Sequence, residues 1–281
     1  MPPVHRMRLS PSRANLARVT ARLRWRLRLP YGRDLHSFLA LSPVGLAIGG
    51  AVVLAGAVVR GYSGFGFSAI LMTGLGLILK PAEIVPIAIA IEVLASLGQA
   101  GQVWADIDWR RLWIILATGM VGNPVGVALL ANLPADAMRA VVCVFTAAAS
   151  AALIAAPRLN FPVGSAVLGC VGLLAGIVNG ATALSGLVLA LFLTLTGLAP
   201  ARLRATFVAY FFLTDLWTGA LLAGEGLFDL TAVRRVLASV PVLGIGLWLG
   251  GRVFVGTSPD TFRKLTLGVL IVLSLAGLIP K

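Results

Sequence analysis

Long apolar segments that contain almost no charged residues constrain the fold of this chain more than any other feature. Hydrophobic residues make up 59% of the 281 residues and charged residues only 12%, too few to give a soluble core of this size a wetted surface. A helix that crosses a membrane needs about 20 consecutive apolar residues. The sequence therefore predicts an all-α membrane protein, a polytopic helix bundle. Its apolar segments are 43–60, 65–79, 81–103, 111–131, 137–156, 162–180, 183–198, 203–224, 232–252 and 261–280.

Two of these segments, 65–79 and 183–198, are too short to cross a bilayer as independent helices. Each follows a glycine-rich stretch, which favours a half-helix or a re-entrant segment. Loop charges differ little between an arrangement with ten crossings and one with eight. We predict about eight spans plus two short broken segments, with both termini in the cytoplasm.

A basic tail, residues 1–40, precedes the first span. Its arginines outnumber its single acid, Asp34, by nine to one. Basic residues beside a first span favour a cytoplasmic N-terminus, so most of the net charge of +13 is an orientation signal and no nucleic-acid partner is expected. The tail is expected to be disordered or to lie on anionic lipid. Its composition also resembles a transit peptide, and translation from a later start codon is an alternative.

The order of motifs repeats along the chain. Residues 61–66 are glycine-rich and lead through an apolar run to Pro81-Ala82, and residues 179–186 lead in the same way to Pro200-Ala201, 119 residues further on. We therefore predict two homologous halves, residues 41–158 and 159–281. Duplicated halves around a central site are a common plan of secondary transporters.

The two glycine-rich breaks are the predicted substrate site. Glycine tolerates the unusual dihedral angles of an unwound helix, and backbone amides freed at the start of a half-helix favour an anion. The alternative is that these glycines only permit close helix packing. The residues predicted to bind substrate are Arg60, Gly61, Ser63, Gly64, Gly66, Asn179, Gly180, Thr182 and Ser185.

Two acids, Glu92 and Asp215, lie deep in apolar segments. An ionisable group at that depth usually faces a partner or a water path, so either acid is a candidate proton carrier for coupled transport. A hydrogen bond between helices is the alternative for each. The 119-residue offset pairs Glu92 with Phe211 and Asp215 with Ser96, so the two acids are not copies of each other.

Signals for an enzyme are nearly absent from the sequence. Both histidines, His5 and His36, lie in or next to the tail, and Cys143 and Cys170 are expected to be packing residues. No catalytic residue, metal or cofactor is predicted. The expected partners are membrane lipid and a small anionic solute, and a homo-oligomer is left open. A membrane scaffold or accessory subunit that transports nothing is the alternative function.

The motif order over residues 43–281 resembles that of the sulfite exporter (TauE/SafE) family of bacterial membrane proteins. The chain departs from the family pattern where Tyr62, Ser63 and Phe65 interrupt the first glycine run, and where alanine, threonine and serine replace glycines in the second. The resemblance implies export of a small anion, such as sulfite or an organosulfonate, across a bacterial inner membrane. The matching elements are 61–66, Pro81-Ala82, 108–110, 122–126 and Leu133-Pro134 in the first half, and 176–186, Pro200-Ala201, Asp229-Leu230, 244–251 and Ser258-Pro259 in the second.

Overall fold

The computed structural model describes residues 39, 41–155, 164–193, 196, 198–253, 267–268, 270–275 and 277. Helices and the short turns between them account for this part of the chain, and a 3₁₀ turn, Trp104–Asp106, follows the third helix. The helices are α1 (Pro43–Ser63), α2 (Phe67–Leu75), α3 (Pro81–Val103), α4 (Trp109–Asn132), α5 (Ala135–Ala155), α6 (Ser165–Thr182), α7 (Ser185–Leu193), α8 (Pro200–Gly224) and α9 (Leu230–Val253).

Local sequence signals set where several helices begin. Ser42 caps α1, because its Oγ accepts a hydrogen bond from the amide of Gly45 at 3.0 Å, and Pro43 occupies the first helical position. The two Pro-Ala pairs also start helices, α3 at Pro81 and α8 at Pro200. Asp108 caps α4 through the amide of Arg111 at 3.1 Å. Short polar loops therefore separate the apolar segments where the sequence indicates.

Seven of the described helices are long and apolar enough to cross a membrane: α1, α3, α4, α5, α6, α8 and α9. The prediction of a polytopic helical membrane protein is confirmed. The two short segments form α2 and α7, nine residues each, and a helix of that length spans only about 14 Å at 1.5 Å per residue. The predicted span at 261–280 lies largely outside the described residues.

The long helices run in two opposite directions. In one group, α1 lies parallel to α9, with Ala57 beside Gly246 and Gly61 beside Gly250, and α3 joins them through Glu83 and Arg235. In the other group, α4 lies parallel to α6 and α8. Helices α3 and α8 are antiparallel. Helices in equivalent positions of the two predicted halves (α1 and α6, α3 and α8, α4 and α9) therefore run in opposite directions, as in an inverted repeat.

Glycines bring two pairs of these helices into backbone contact. A methyl group added at Gly61 of α1 would lie 2.6 Å from the carbonyl oxygen of Leu247 in α9, and one added at Gly180 of α6 would collide with the carbonyl oxygen of Asn123 in α4. The expectation that Gly61 unwinds α1 together with Gly64 and Gly66 is wrong, because the helix continues to Ser63. Close packing on a neighbouring backbone keeps Gly61 and Gly180 helical.

Candidate functional site

The first helix break lies between α1 and α2. Gly64 and Gly66 have φ angles of 79° and 89°, in the left-handed region that glycine adopts without strain. The amide of Gly64 donates to the carbonyl of Arg60 at 2.8 Å and ends α1. Ser63 Oγ donates to the carbonyl of Val59 at 2.8 Å, which is a contact within its own helix. Helix α2 then runs back along α1, so the break is a reversal within the bundle.

The second break lies between α6 and α7 and has the same construction. Ala183 ends α6 with φ 56°, and its amide donates to the carbonyl of Asn179 at 2.8 Å. Thr182 Oγ1 donates to the carbonyl of Val178 at 2.7 Å, as Ser63 does in the first break. Gly186 at the start of α7 lies against Phe65 of the first break, since a methyl group there would be 3.6 Å from Phe65 Cβ. The two breaks therefore meet inside the bundle.

Arg60 is fully buried beside this meeting point. Its Nη1 donates to the carbonyl of Gly64 and its Nη2 to Ser96 Oγ, each at 2.7 Å, and its guanidinium lies 4.5 Å from the ring centre of Phe211. Its Nε has no hydrogen-bond partner among the described residues. A buried cation is costly unless it is paired, so a negative partner is required nearby.

Two negative partners are present, on α3 and α8. Both acids interact electrostatically with Arg60. Arg60 bonds to Ser96, one turn beyond Glu92 on α3, and packs on Phe211, one turn before Asp215 on α8, so the two acids lie at the same level of these helices. Glu92 is only 2% exposed and Asp215 is fully buried. The structure therefore brings both predicted proton carriers to the predicted cation, although they come from different halves of the sequence.

Polar groups at the two breaks hold the acids in place. Glu92 Oε1 accepts from Ser68 Oγ at 2.6 Å and from the Ser68 amide at 3.3 Å, in the first turn of α2. Asp215 Oδ1 accepts from Asn179 Nδ2 at 2.9 Å, and Ser185 Oγ donates to Asn179 Oδ1 at 2.6 Å. The start of α2 is thus already occupied by a carboxylate of the protein itself. We call Arg60, Ser68, Glu92, Ser96, Asn179, Ser185 and Asp215 the central cluster.

Of the predicted residues, Arg60, Glu92, Asn179, Ser185 and Asp215 come together in the central cluster. Gly64 contributes a carbonyl to it, and Gly66 lies at the N-cap position of α2. The other predicted residues, Gly61, Ser63, Gly180 and Thr182, make their contacts elsewhere. Thr182 bonds to a carbonyl of its own helix, and Ser63 bonds to the carbonyl of Val59 in its helix and to the backbone of Phe65 in the break. Gly61 and Gly180 pack against neighbouring helices.

Three residues of the site, Ser68, Ser96 and Phe211, are absent from the set predicted from sequence. The 119-residue offset contained a signal for two of them, because it pairs Ser96 with Asp215 and Phe211 with Glu92. Nothing in the sequence marks Ser68, an ordinary small residue of a membrane segment. Its role depends on the reversal that turns the start of α2 toward α3.

The central cluster has the chemistry of an ion site and lacks a reactive nucleophile. It combines a guanidinium, two carboxyl groups, an amide and hydroxyl groups in a buried position. Guanidinium groups bind oxyanions through paired N–H donors, and neighbouring carboxyl groups can exchange a proton. Within the described residues, no group of three or more histidine, cysteine or acidic side chains is arranged to hold a metal ion.

Comparison with known proteins gives a consistent result. A family model described as sulfite exporter TauE/SafE matches residues 48–277. The protein named "Probable sulfite/organosulfonate exporter TauE" from Cupriavidus necator is 28% identical over 240 residues, which cover 82% of this chain and 92% of that protein. No solved structure gives a significant match. The matched region includes every residue of the central cluster.

Proposed function

Because the chain belongs to the sulfite exporter TauE/SafE family, we propose that it is a secondary transporter for a small sulfur-containing anion. The substrate is sulfite or an organosulfonate, exported across a bacterial inner membrane with the N-terminus in the cytoplasm. The family match supports the transport function, and the name of the Cupriavidus necator relative supports the substrate and the direction of transport. The basic tail supports a cytoplasmic N-terminus. A transporter of this family is not expected to be an enzyme.

The burial of Arg60 between the two helix breaks carries the proposal. Its Nε lacks a partner, and Asp215 Oδ2 is likewise without a hydrogen bond to a protein donor among the described residues. A membrane scaffold would not need such a cluster, since buried charge is costly and replacement by apolar residues is often neutral or stabilising. Binding of an anion to Arg60 during each transport cycle would explain why the chain keeps a buried charge despite its cost in stability.

In the proposed complex, the guanidinium of Arg60 binds the anion and the hydroxyl of Ser96 helps to orient the guanidinium. Asn179 and Ser185 approach from the second break and supply neutral polar contacts. Glu92 and Asp215 carry the proton that couples transport. Gly64 and Gly66 let the chain reverse beside the anion, whereas Gly61 and Gly180 support the site by packing. Ser63 and Thr182 are assigned to the ends of α1 and α6. They are therefore not among the residues proposed to contact the anion.

Transport by purified protein in liposomes tests the proposal. Liposomes loaded with ³⁵S-labelled sulfite, methanesulfonate or thiosulfate should lose label faster than protein-free liposomes. Arg60→Ala should abolish that loss of label, because no other fully buried cation is described in the cluster. Arg110→Ala, which changes an exposed arginine at the start of α4, is the matched control and should transport normally.

The scaffold alternative predicts a different result. If the chain only packs helices, none of the three anions should leave the liposomes faster than in the protein-free control. That outcome, obtained with protein that remains monodisperse after purification, would overturn the proposed transport function.

A further inference from the structure

Glu92 and Asp215 are two buried carboxyl groups at the same level of α3 and α8, beside a single buried cation, Arg60. Two ionised carboxylates offer only acceptor oxygens and repel each other, so a buried pair of this kind shares one proton between them. Ser68 donates to Oε1 of Glu92 and Asn179 donates to Oδ1 of Asp215, whereas Oδ2 of Asp215 accepts no hydrogen bond from a described donor. Oδ2 of Asp215 is thereby left for the proton of the pair.

Charge counting then defines the resting state of the cluster. Arg60 contributes one positive charge and the pair with its shared proton contributes one negative charge. Arg204 also interacts electrostatically with Arg60, but it is only partly buried near the start of α8, and a tyrosine phenol such as that of Tyr210 is uncharged at ordinary pH. Among the groups facing the pair from α1, α3 and α8, the buried charges therefore balance before any substrate enters.

An anion that binds Arg60 upsets this balance by one negative charge. Burying an uncompensated charge is far more costly than protonating a neighbouring carboxylate. The remaining carboxylate of the pair interacts electrostatically with Arg60, so a proton on it restores neutrality beside the bound anion.

We propose that the central cluster binds one proton together with each monoanion, and that the two cross the membrane together. The proton passes from water to the carboxylate oxygen of the pair that lacks one, and it leaves from the same group when the anion is released. This inference rests on the proposed function and specifies its substrate as a monoanion, hydrogen sulfite or an organosulfonate. A dianion would need two additional protons, and the pair can accept only one.

Two consequences follow for transport. Movement of anion and proton together carries no net charge, so the transport rate does not depend on membrane potential. It does depend on pH, because a more alkaline compartment removes the proton required for binding. Export then proceeds down the concentration gradient of the anion and is accelerated when the outside is more alkaline.

Proton movement measured with methanesulfonate tests the inference, because this anion stays singly charged throughout the usable pH range. Liposomes containing the full-length protein and a trapped pH-sensitive dye are given an outward methanesulfonate gradient. The interior should become more alkaline, with one proton lost for each methanesulfonate. A potassium diffusion potential set with valinomycin should leave the rate unchanged, and sulfate should be transported at least ten-fold more slowly.

The double variant Glu92→Gln/Asp215→Asn keeps the size of both side chains and mimics the protonated pair. The pH change should be lost, and any methanesulfonate movement that remains should be exchange of internal for external anion without protons. The surface variant Glu225→Gln/Asp136→Asn is the matched control and should keep the one-to-one proton movement, because both residues are exposed.

The outcomes separate the inference from the proposed function. Methanesulfonate transport that follows the membrane potential and moves no proton would overturn the inference and leave the proposed function intact. Proton movement that persists in the double variant would also overturn it. If neither methanesulfonate, sulfite nor thiosulfate is transported, the proposed function fails and the inference fails with it.

Discussion

The two helix breaks have the same arrangement of hydrogen bonds but carry different charges. In the first break Arg60 bonds to Ser96 on α3, and in the second Asn179 bonds to Asp215 on α8, each time to a residue 36 positions further on. Arg60 and Asn179 are 119 residues apart, as are Ser96 and Asp215. One break therefore pairs a cation with a hydroxyl and the other pairs an amide with an acid. The two breaks therefore form hydrogen bonds at matching positions. The charged residue is the donor, Arg60, in the first break and the acceptor, Asp215, in the second.

This difference in charge explains how the breaks can serve one site. If both breaks had carried an arginine, two buried cations would have repelled each other, and two acids alone would exclude an anion. With one charge of each sign, the breaks attract each other through Arg60 and Asp215, and Glu92 adds a second acid that has no equivalent in the other half. In the proposed mechanism, this difference between the two breaks is the feature that lets the cluster bind a proton and an anion together.

A conservative change at Arg60 should have the largest effect on transport, and it tests whether the guanidinium distinguishes the first break from the second. Arg60→Lys keeps the positive charge but cannot make the forked contacts to Gly64 and Ser96, so anion transport should fall about 10- to 100-fold, in line with the 1.5–3 kcal/mol of a charged hydrogen bond. The measurement is the initial rate of methanesulfonate efflux from liposomes. Arg110→Lys should be unaffected. A wild-type rate for Arg60→Lys would show that the two breaks are not distinguished by the guanidinium.

A change in the helix packing behind the second break should have the next largest effect, on protein stability. Gly180→Ala would place a methyl group against the Asn123 carbonyl, and overpacking of this kind costs about 1–3 kcal/mol. The variant should therefore show a lower melting temperature and a lower yield of monodisperse protein. Gly244→Ala, in α9 with no atom within 4 Å of the added methyl group, is the control. Normal stability of Gly180→Ala with loss of transport would instead place Gly180 in the substrate site.

The residues that follow α1 and α6, Gly64 and Ala183, give the last contrast, and the change at Ala183 is the smallest effect expected. Gly64 and Ala183 are 119 residues apart and both have left-handed φ angles, but only the first is glycine. Gly64→Ala should cost about 1–2 kcal/mol from its dihedral angle and more from contact with Arg204, whereas Ala183→Gly should stabilise the protein by about 0.5 kcal/mol.

Thermal unfolding of the two variants in detergent checks this contrast. Gly226→Ala is the control for the dihedral term, because Gly226 has φ 70° and no atom within 4 Å of an added methyl group. Equal losses for Gly64→Ala and Gly226→Ala would mean that contact with Arg204 contributes nothing. A loss of stability in Ala183→Gly would contradict the strain assigned to the second break.

The amino-acid sequence by itself determined the class of fold and where most helices begin and end. Apolar length requires helices in a bilayer, because backbone groups there must be bonded internally, and proline, aspartate and serine mark several starts. The shortness of α2 and α7 was also readable from sequence. These are local properties, and the residues that decide them are neighbours along the chain.

The tertiary structure alone decided which glycines break a helix and which polar residues meet. Gly61 and Gly64 are both glycines at the end of α1, and only the approach of α9 to Gly61 and the reversal at Gly64 separate their roles. Likewise Glu92 and Asp215 lie 123 positions apart, and their place beside Arg60 depends on the antiparallel packing of α3 and α8. Such contacts join residues distant in sequence, so no local pattern encodes them.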